Sequence, residues 1–398
     1  MRSTERDQAA LDTIPLIDHH SHPWLRDWQQ QDATAFRACF SESPSRHLIE
    51  TNVPWSLPYQ RSLRQLAALL GCDPTEEAIL GVRRTSRPAA YLARLFPAAN
   101  IAALLLDNGF PPPASALSAA DVAAATGPPM QRILRIEAFV EELTCTTNDF
   151  AELVDRFDTV VGNLAAGGAA ALKSIAAYRS GLRLAPVTLA VAAGAWLPLR
   201  ATAQATGKVR IAAKPVIDFF ALRALRHAAR QGLVVQFHTG YGDPDLDLRE
   251  ATPLHLRPVL EDPAYRDAVF VLLHGAYPYT REAAYLAAVY PQVYLDVSTS
   301  LPPLGSAEIE AMLSQALAVA PVSKVLLSSD GARIPEHHVL GALNARRALG
   351  VVLQRAVQAG DIAAADAPLL AAWPLHRTAA TIYGALGAIM ARAATGAC

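Results

Sequence analysis

The sequence predicts an α/β protein: a (β/α)8 TIM barrel with a helical insertion after its first strand and further helices closing it at the C-terminal end. Two observations carry this. Short apolar runs rich in Val, Leu and Ile recur as IPLIDHH from 14, ALKSIAAYR from 171, LVVQFHTG from 233, VFVLLHGAYP from 269, VYLDVSTS from 293 and KVLLSSDG from 324. Bounded by Gly and Pro, such runs read as parallel strands buried on both faces. Helical segments separate the last four: PAYRDAV after 262, TREAAYLAAVY from 280 and SAEIEAMLSQALAVA from 306. Strand and helix therefore alternate. The second observation is that a residue able to do chemistry falls at the C-terminal end of nearly every run, where a barrel gathers its active site. A dinucleotide-binding sheet would instead place glycines in its first turn, and neither GxGxxG nor GxxxxGK[ST] follows a strand here.

The elements follow in order. The first strand ends in IPLIDHHSHPW, residues 14 to 24. Residues 24–130 lack the alternation and read as a mostly helical insertion, with Trp- and Arg-rich stretches such as QRSLRQLAALLGCDPTEEAILGVRR, a second strand near IAALLLDNG, and then the prolines of GFPPPAS and TGPP. The run LAPVTLAVAAGAWLPL, 184 to 199, is too short and too interrupted by Pro186, Gly194 and Pro198 to span a bilayer, and reads as a buried helix. The helices after residue 337 complete a single domain over 1–398.

Composition narrows the partners. With 35 basic against 36 acidic residues among 398, the formal charge is -1, so the chain lacks the Lys and Arg excess that a phosphate backbone requires. A small-molecule substrate is expected, with no nucleic acid and no membrane; homo-oligomerisation stays open. Cys39, Cys72, Cys145 and Cys398 are scattered and form no CxxC pair, and the charged N-terminus MRSTERDQAA has no apolar signal core. A reducing, cytoplasmic location is the expectation.

Alternation along a strand sends Asp18, His20 and His22 to one face and His19 to the other. Two imidazoles spaced i, i+2 at a strand end can each offer a nitrogen to one cation. His238, His274 and Asp330 close three further runs, at ends that a barrel brings together. Singly, each could be a hydrogen-bonded core histidine or a helix cap. Together with HxH they point to a metal site.

These residues, in this order, resemble the amidohydrolase superfamily and its amidohydrolase-related branch. LRIE (134–137), LKSIAAYRSGL (172–182), QFHTGYGDPDLDL (236–248), TPLHLR (252–257), LLHGAYPYTREAAYLAAVYPQVYLDVS (272–298) and LLSSDG (326–331) are similar to the amidohydrolase domain that precedes glutamine synthetase in FluG- and nodulin-type fusion proteins. The resemblance covers roughly residues 10–395. It implies a divalent metal, zinc first, held by His20, His22 and His238, with Asp330 as a further ligand or base and His274 beside the metal. Lys173 matches the fourth-strand position where binuclear relatives carry a carbamylated lysine. One ion is favoured, and two would draw Lys173 in. The implied enzyme is a metal-dependent amidohydrolase acting through activated water, with Asp330 moving the proton and His274 steadying the oxyanion. A γ-glutamyl amide or other amino-acid amide is the substrate this points to, by analogy alone.

Substrate contacts are sought around the strand ends. Arg179, after the fourth strand, can hold a carboxylate. Asp243, in the loop TGYGDPDLDLR, suits an amine or forms a solvated turn. Arg135 and Glu137 are expected on one strand-like face, and Tyr277 and His255 are lesser candidates. Two other readings remain: decarboxylation of an aromatic or unsaturated acid on the same barrel, and a non-catalytic regulatory or interaction module.

Overall fold

A computed structural model describes residues 10–298, 304–384 and 386. Its strands are β1 (Leu16–Ser21), β2 (Ile101–Asp107), β3 (Met130–Arg135), β4 (Ala169–Ser174), β5 (Val234–Phe237), β6 (Val269–Leu272), β7 (Val293–Ser298) and β8 (Val325–Ser328). They lie in one eight-stranded sheet in sequence order, with parallel registers. β1 also meets the chain leaving β8, where Asp330 N donates to His20 O and His22 N donates to Gly331 O. Parallel strands in sequence order with helices between them are the (β/α)8 TIM barrel that the apolar runs predict. Thr299 and Ser300, at the end of the seventh run, and Cys398 lie outside the described residues.

The chain divides into two compact units, residues 1–130 with 296–398, and residues 131–295. In the first, the expected insertion is helical from Ala33 to Ala99 and again over Ala119–Thr126, with β2 between them as the IAALLLD run predicts. Its helices begin on side-chain caps: Asp32 accepts from Ala35 N, Ser56 from Tyr59 N and Thr75 from Ala78 N. The helix Glu76–Thr85 carries Glu76 and Glu77 in its first turn and Arg83 and Arg84 in its last, matching the helix dipole. Arg83 is fully buried: its Nε lies 3.0 Å from Glu336, and its guanidinium sits over Trp28 and Phe36. Tyr91 donates to the same carboxylate at 2.7 Å.

The second unit holds β3 to β6 against a cluster of Phe150, Phe157, Trp196, Phe219 and Phe220. Here the structure corrects two expectations. The 184–199 run lies partly in the helix Leu189–Thr206, yet that helix is not buried: Leu189, Val191 and Leu197 are 52%, 55% and 63% exposed. Ala192, Trp196 and Ala203 are its buried residues, a single stripe at helical spacing. PAYRDAV forms one 3-10 turn, Pro263–Tyr265, because Asp262 caps it and the strand begins at Val269. Among the described residues no helix is long and apolar enough to cross a membrane.

One side chain ties the strand starts of the first unit together. Buried Arg346 donates from Nη1 to Leu11 O and Ile14 O at 3.0 and 2.5 Å, and from Nη2 to Ala99 O and Asn100 O, both at 3.1 Å. Burial pulls its guanidinium down to about 10, so it stays charged at neutral pH. Leu11 O and Asn100 O also accept from Ile14 N and Leu16 N, so Arg346→Ala should cost roughly 3 kcal/mol of unfolding free energy mainly through the carbonyls of Ile14 and Ala99 and the lost buried packing. Urea denaturation measures this, and a midpoint equal to wild type would show that the four carbonyls do not need the arginine.

Candidate metal centre

In the first unit β1 delivers its alternate residues as the pleat requires. His20 Nε2 lies 3.3 Å from Asp330 Oδ1, and His22 Nε2 lies 3.4 Å from the same oxygen. The two rings meet edge to face at 5.1 Å. His22 Nδ1 is 3.1 Å from Asp107 O, and since a carbonyl only accepts, Nδ1 carries the proton. In the neutral ring, Nε2 then points its lone pair at the Asp330 carboxylate. That approach is repulsive unless a proton or cation lies between them.

The spacing fits a cation. Two ligand atoms each about 2.0 to 2.1 Å from a tetrahedral zinc are about 3.3 to 3.4 Å apart, and the two nitrogen-to-oxygen distances match that edge. Imidazole and carboxylate are also donors that zinc and its first-row neighbours accept. His20 and Asp330 belong to a group of buried side chains able to hold a metal ion.

His19 turns the other way, as alternation predicts. It is fully buried, with Nε2 2.9 Å from Asp296 Oδ1 and Nδ1 3.1 Å from Tyr383 Oη. Ser328 and Ser298 donate to the same aspartate. Sequence reasoning assigned no role to Asp18, and the structure supplies one. Its Oδ1 accepts from Ser329 N at 2.8 Å and its Oδ2 from Ser329 Oγ at 2.6 Å, immediately before Asp330. His338 lies 3.5 Å from Asp18 Oδ2 and donates from Nε2 to His22 O at 3.2 Å. Gly331 must be glycine there, since a Cβ would come within 2.6 Å of the His338 ring. DxHxH contained the signal for Asp18; nothing in sequence marked Ser329 or His338.

In the second unit His238 and His274 stand with ring centroids 4.5 Å apart, one and two residues beyond β5 and β6. His238 Nε2 is 3.1 Å from Tyr241 O, so it donates there and Nδ1 bears the lone pair. The Tyr178 ring also packs against His238, at 4.4 Å between centroids. Its hydroxyl requires glycine at 242, where a Cβ would lie 2.1 Å away. Lys173 is buried near the end of β4, in register with Arg135 and Gln236.

The remaining candidates divide. Arg135 ends β3 but Glu137 lies in the helix Ile136–Thr146, so the two do not share a strand face. Glu137 accepts from Ser174 Oγ at 2.7 Å and Ile175 N at 3.0 Å, and burial pushes its carboxyl above the usual range. It braces the turn after β4. Asp243 accepts from Asp245 N at 2.9 Å, Asp245 pairs with Arg210, and Asp247 pairs with Arg249, so this loop's acids serve its own turn and surface. Tyr277 packs its ring 6.4 Å from Tyr241, and His255 meets Arg183 and Arg249 O. Arg179 lies 3.1 Å from Glu141.

The sequence model of the amidohydrolase family matches residues 17–384. Protein fluG of Emericella nidulans is 28% identical over 94% of this chain, which spans about half that protein's length (46%). A Lactobacillus casei protein described as a metal-dependent hydrolase superposes with a TM-score of 0.85 at 29% identity, covering 95% of this chain and 97% of its own. A uronate isomerase from Thermotoga maritima gives 0.64 at 16% identity over 96% and 97% of the two chains, a likeness of fold alone.

The geometry separates the histidines of β1 by experiment. His22→Gln should lower bound zinc by at least tenfold, a loss typical of disturbing a metal's ligand set. His19→Gln should keep the zinc and instead cost about 1 to 3 kcal/mol of stability through its buried partners. Elemental analysis after dialysis against trace zinc reads the first and thermal unfolding the second. Equal zinc loss in both would refute the division of roles along the strand.

Proposed function

The chain is an enzyme of the amidohydrolase family, and from that premise we propose that it hydrolyses a C–N bond in a small amino-acid amide, a γ-glutamyl amide foremost. The observation that carries the reading is the convergence of His20, His22 and Asp330 at metal-ligand spacing. His238 and His274, which follow β5 and β6, complete the proposed set. We place one divalent cation there, zinc first, with Lys173 as a neighbouring cation rather than a carbamylated bridge. When bound, such an ion lowers the pKa of water toward neutrality and polarises a carbonyl.

The chain's own residues do the rest. Asp107 O fixes the His22 tautomer, so the ring presents Nε2 rather than a proton. Asp18 and Ser329 hold the turn that aims Asp330. Asp330 takes the proton of the attacking water and returns it to the leaving nitrogen, a carboxylate's ordinary general acid–base work. His274, 3% exposed, donates to the oxygen on which charge develops. The amino-acid part of the substrate follows from the resemblance to barrels fused to glutamine synthetase, an analogy of context.

Asp330→Asn should lower kcat by about 100- to 10,000-fold, the range for removing a positioned general base, and His20→Ala should abolish turnover. Zinc-replete wild type should release amine from a γ-glutamyl amide without releasing carbon dioxide. Carbon dioxide without amine from an aromatic acid would replace hydrolysis by decarboxylation. Undiminished amide turnover in either variant would refute the assignment. Two equivalents of zinc per chain would bring Lys173 into the metal site.

A further inference from the structure

We propose that Arg333 receives a carboxylate at the far end of the substrate, so that the enzyme takes amides whose acyl part ends in a second, free carboxylate. This names the substrate class of the amidohydrolase reading and rests on it. Arg333 follows Asp330 by three residues, and its guanidinium carbon lies 5.2 Å from the centroid of the Phe110 ring. The same ring meets His22 edge to face at 5.6 Å. One partly exposed ring therefore separates the guanidinium from a proposed metal ligand, and all three residues belong to the first unit.

The backbone fixes this position. Arg333 N donates to Pro23 O at 3.2 Å, and Arg333 O accepts from Leu25 N at 2.8 Å, on the segment that follows His22. Its φ of 66° lies in the left-handed region, which a long side chain rarely adopts. Strain of this kind persists where neighbouring bonds impose it, and it gathers at ligand-binding positions.

The guanidinium is partly used. Nη1 donates to Ala38 O at 3.1 Å, whereas among the described residues Nε and Nη2 have no partner and no carboxylate pairs with the charge. The side chain is partly exposed, and these two nitrogens are open to solvent. That separates Arg333 from the core arginines Arg83 and Arg346, whose Nε atoms are sealed off. Nε and Nη2 form one edge of the planar fork, and carboxylates dock on such an edge with two parallel bonds. This chain grips its own carboxylates by that edge. Arg37 holds Glu76 through Nε and Nη2 at 2.7 Å each, and Arg249 holds Asp247 through the same pair at 3.0 and 2.7 Å. Arg333 presents the edge to solvent instead.

Charge selects the anion. His337, which feels the Arg333 charge, is held neutral: burial first, with Arg333 and His338 adding to it, brings its imidazole down to about 3. Arg83 is spent on Glu336. A single unshared positive charge backed by an aromatic face suits a carboxylate better than a phosphate dianion. With the reacting carbonyl at His22 and Asp330, the acyl chain lies along Phe110 and its terminal carboxylate on Arg333.

The test titrates the zinc-loaded full chain calorimetrically with glutarate, with pentanoate, in which a methyl replaces the second carboxylate, and with inorganic phosphate. Wild type should bind glutarate at least about tenfold more tightly than either of the others, the worth of a hydrogen-bonded charged group. In Arg333→Gln the preference for glutarate over pentanoate should fall to about threefold or less, while pentanoate affinity and zinc content stay at wild type. Phe110→Leu should weaken glutarate by about 2- to 5-fold, the worth of an exposed cation–ring contact. Arg333→Lys keeps the charge without the fork, so the preference should drop at least about threefold; this variant supplies the comparison if Arg333→Gln does not fold. With a γ-glutamyl amide, Arg333→Gln should raise KM far more than it lowers kcat. A purely structural arginine would instead move pentanoate affinity in step with glutarate. That result, an undiminished glutarate preference in the variants, no such preference in wild type, or tighter binding of phosphate overturns the carboxylate subsite. Each leaves amide hydrolysis standing, whereas a glutarate preference that depends on Arg333 in a protein that hydrolyses no amide overturns the hydrolase reading alone.

Discussion

The turn that carries Asp330 depends on one buried carboxylate. Asp18 has no exposed surface, and a charge so placed is tolerated only when hydrogen bonds replace its water. Ser329 supplies two of them, through N and Oγ, and bonds to a charged acceptor contribute about 1.5 to 3 kcal/mol each. The Ser329 hydroxyl also accepts from Gly331 N at 2.8 Å, closing the turn around Asp330 from both sides. Position 330 therefore follows from position 18, on a strand more than three hundred residues earlier. His338 adds a separate bond to the same strand end, donating from Nε2 to the carbonyl of His22.

The alternation of β1 gives this arrangement a second use. Its inward residues reach Asp330, while His19, between them, secures β1 to Asp296 of β7 and to Tyr383 beyond the last described helix. Ser298 and Ser328 complete a buried polar cluster in which Asp296 accepts from both hydroxyls. Such a cluster stabilises only when its members are satisfied together. The period-two pattern of DHHSH therefore separates ligand from anchor without any change of residue type.

How much of this was legible in the sequence depends on distance along the chain. Buried parallel strands have continuous apolar runs, and those runs located β1, β2 and β4 to β8. Alternation separated His19 from His20 and His22 because it is a property of the strand itself. The partners of Asp18 were not legible, since nothing local distinguishes Ser329 or His338 from other polar residues after a strand. Glu137 was misplaced for a related reason: LRIE looks extended, but the strand stops at Arg135, and one helical step turns the carboxylate toward Ser174. The helix at 189–206 shows the opposite failure. From Leu189 to Leu199 its sequence is apolar on every side, so composition alone could not show which stripe would be covered.

The two residues assigned to proton transfer and oxyanion binding share a backbone solution. His274 and Asp330 each lie two positions past the last residue of their strands, with φ of 65° and 50°. The left-handed region costs a non-glycine residue roughly 1 to 2 kcal/mol, and such strain persists where surrounding bonds over-determine it. For Asp330 the bonds are its own N–H to His20 O and that of Ser329 to Asp18 Oδ1; for His274 they are the turn bonds Ala276 N to Leu273 O and Tyr277 N to His274 O. A glycine follows in both cases: Gly275, itself at φ 60°, and Gly331, where a Cβ would meet the His338 ring. A residue continuing the strand would alternate faces with its neighbours, and its direction would be set by the pleat. Breaking into the left-handed region immediately after the strand frees the side chain from that alternation. The aim of these two groups is then fixed by hydrogen bonds to the turn, which explains why the acid and the imidazole sit beyond β8 and β6 while the paired histidines remain at the end of β1.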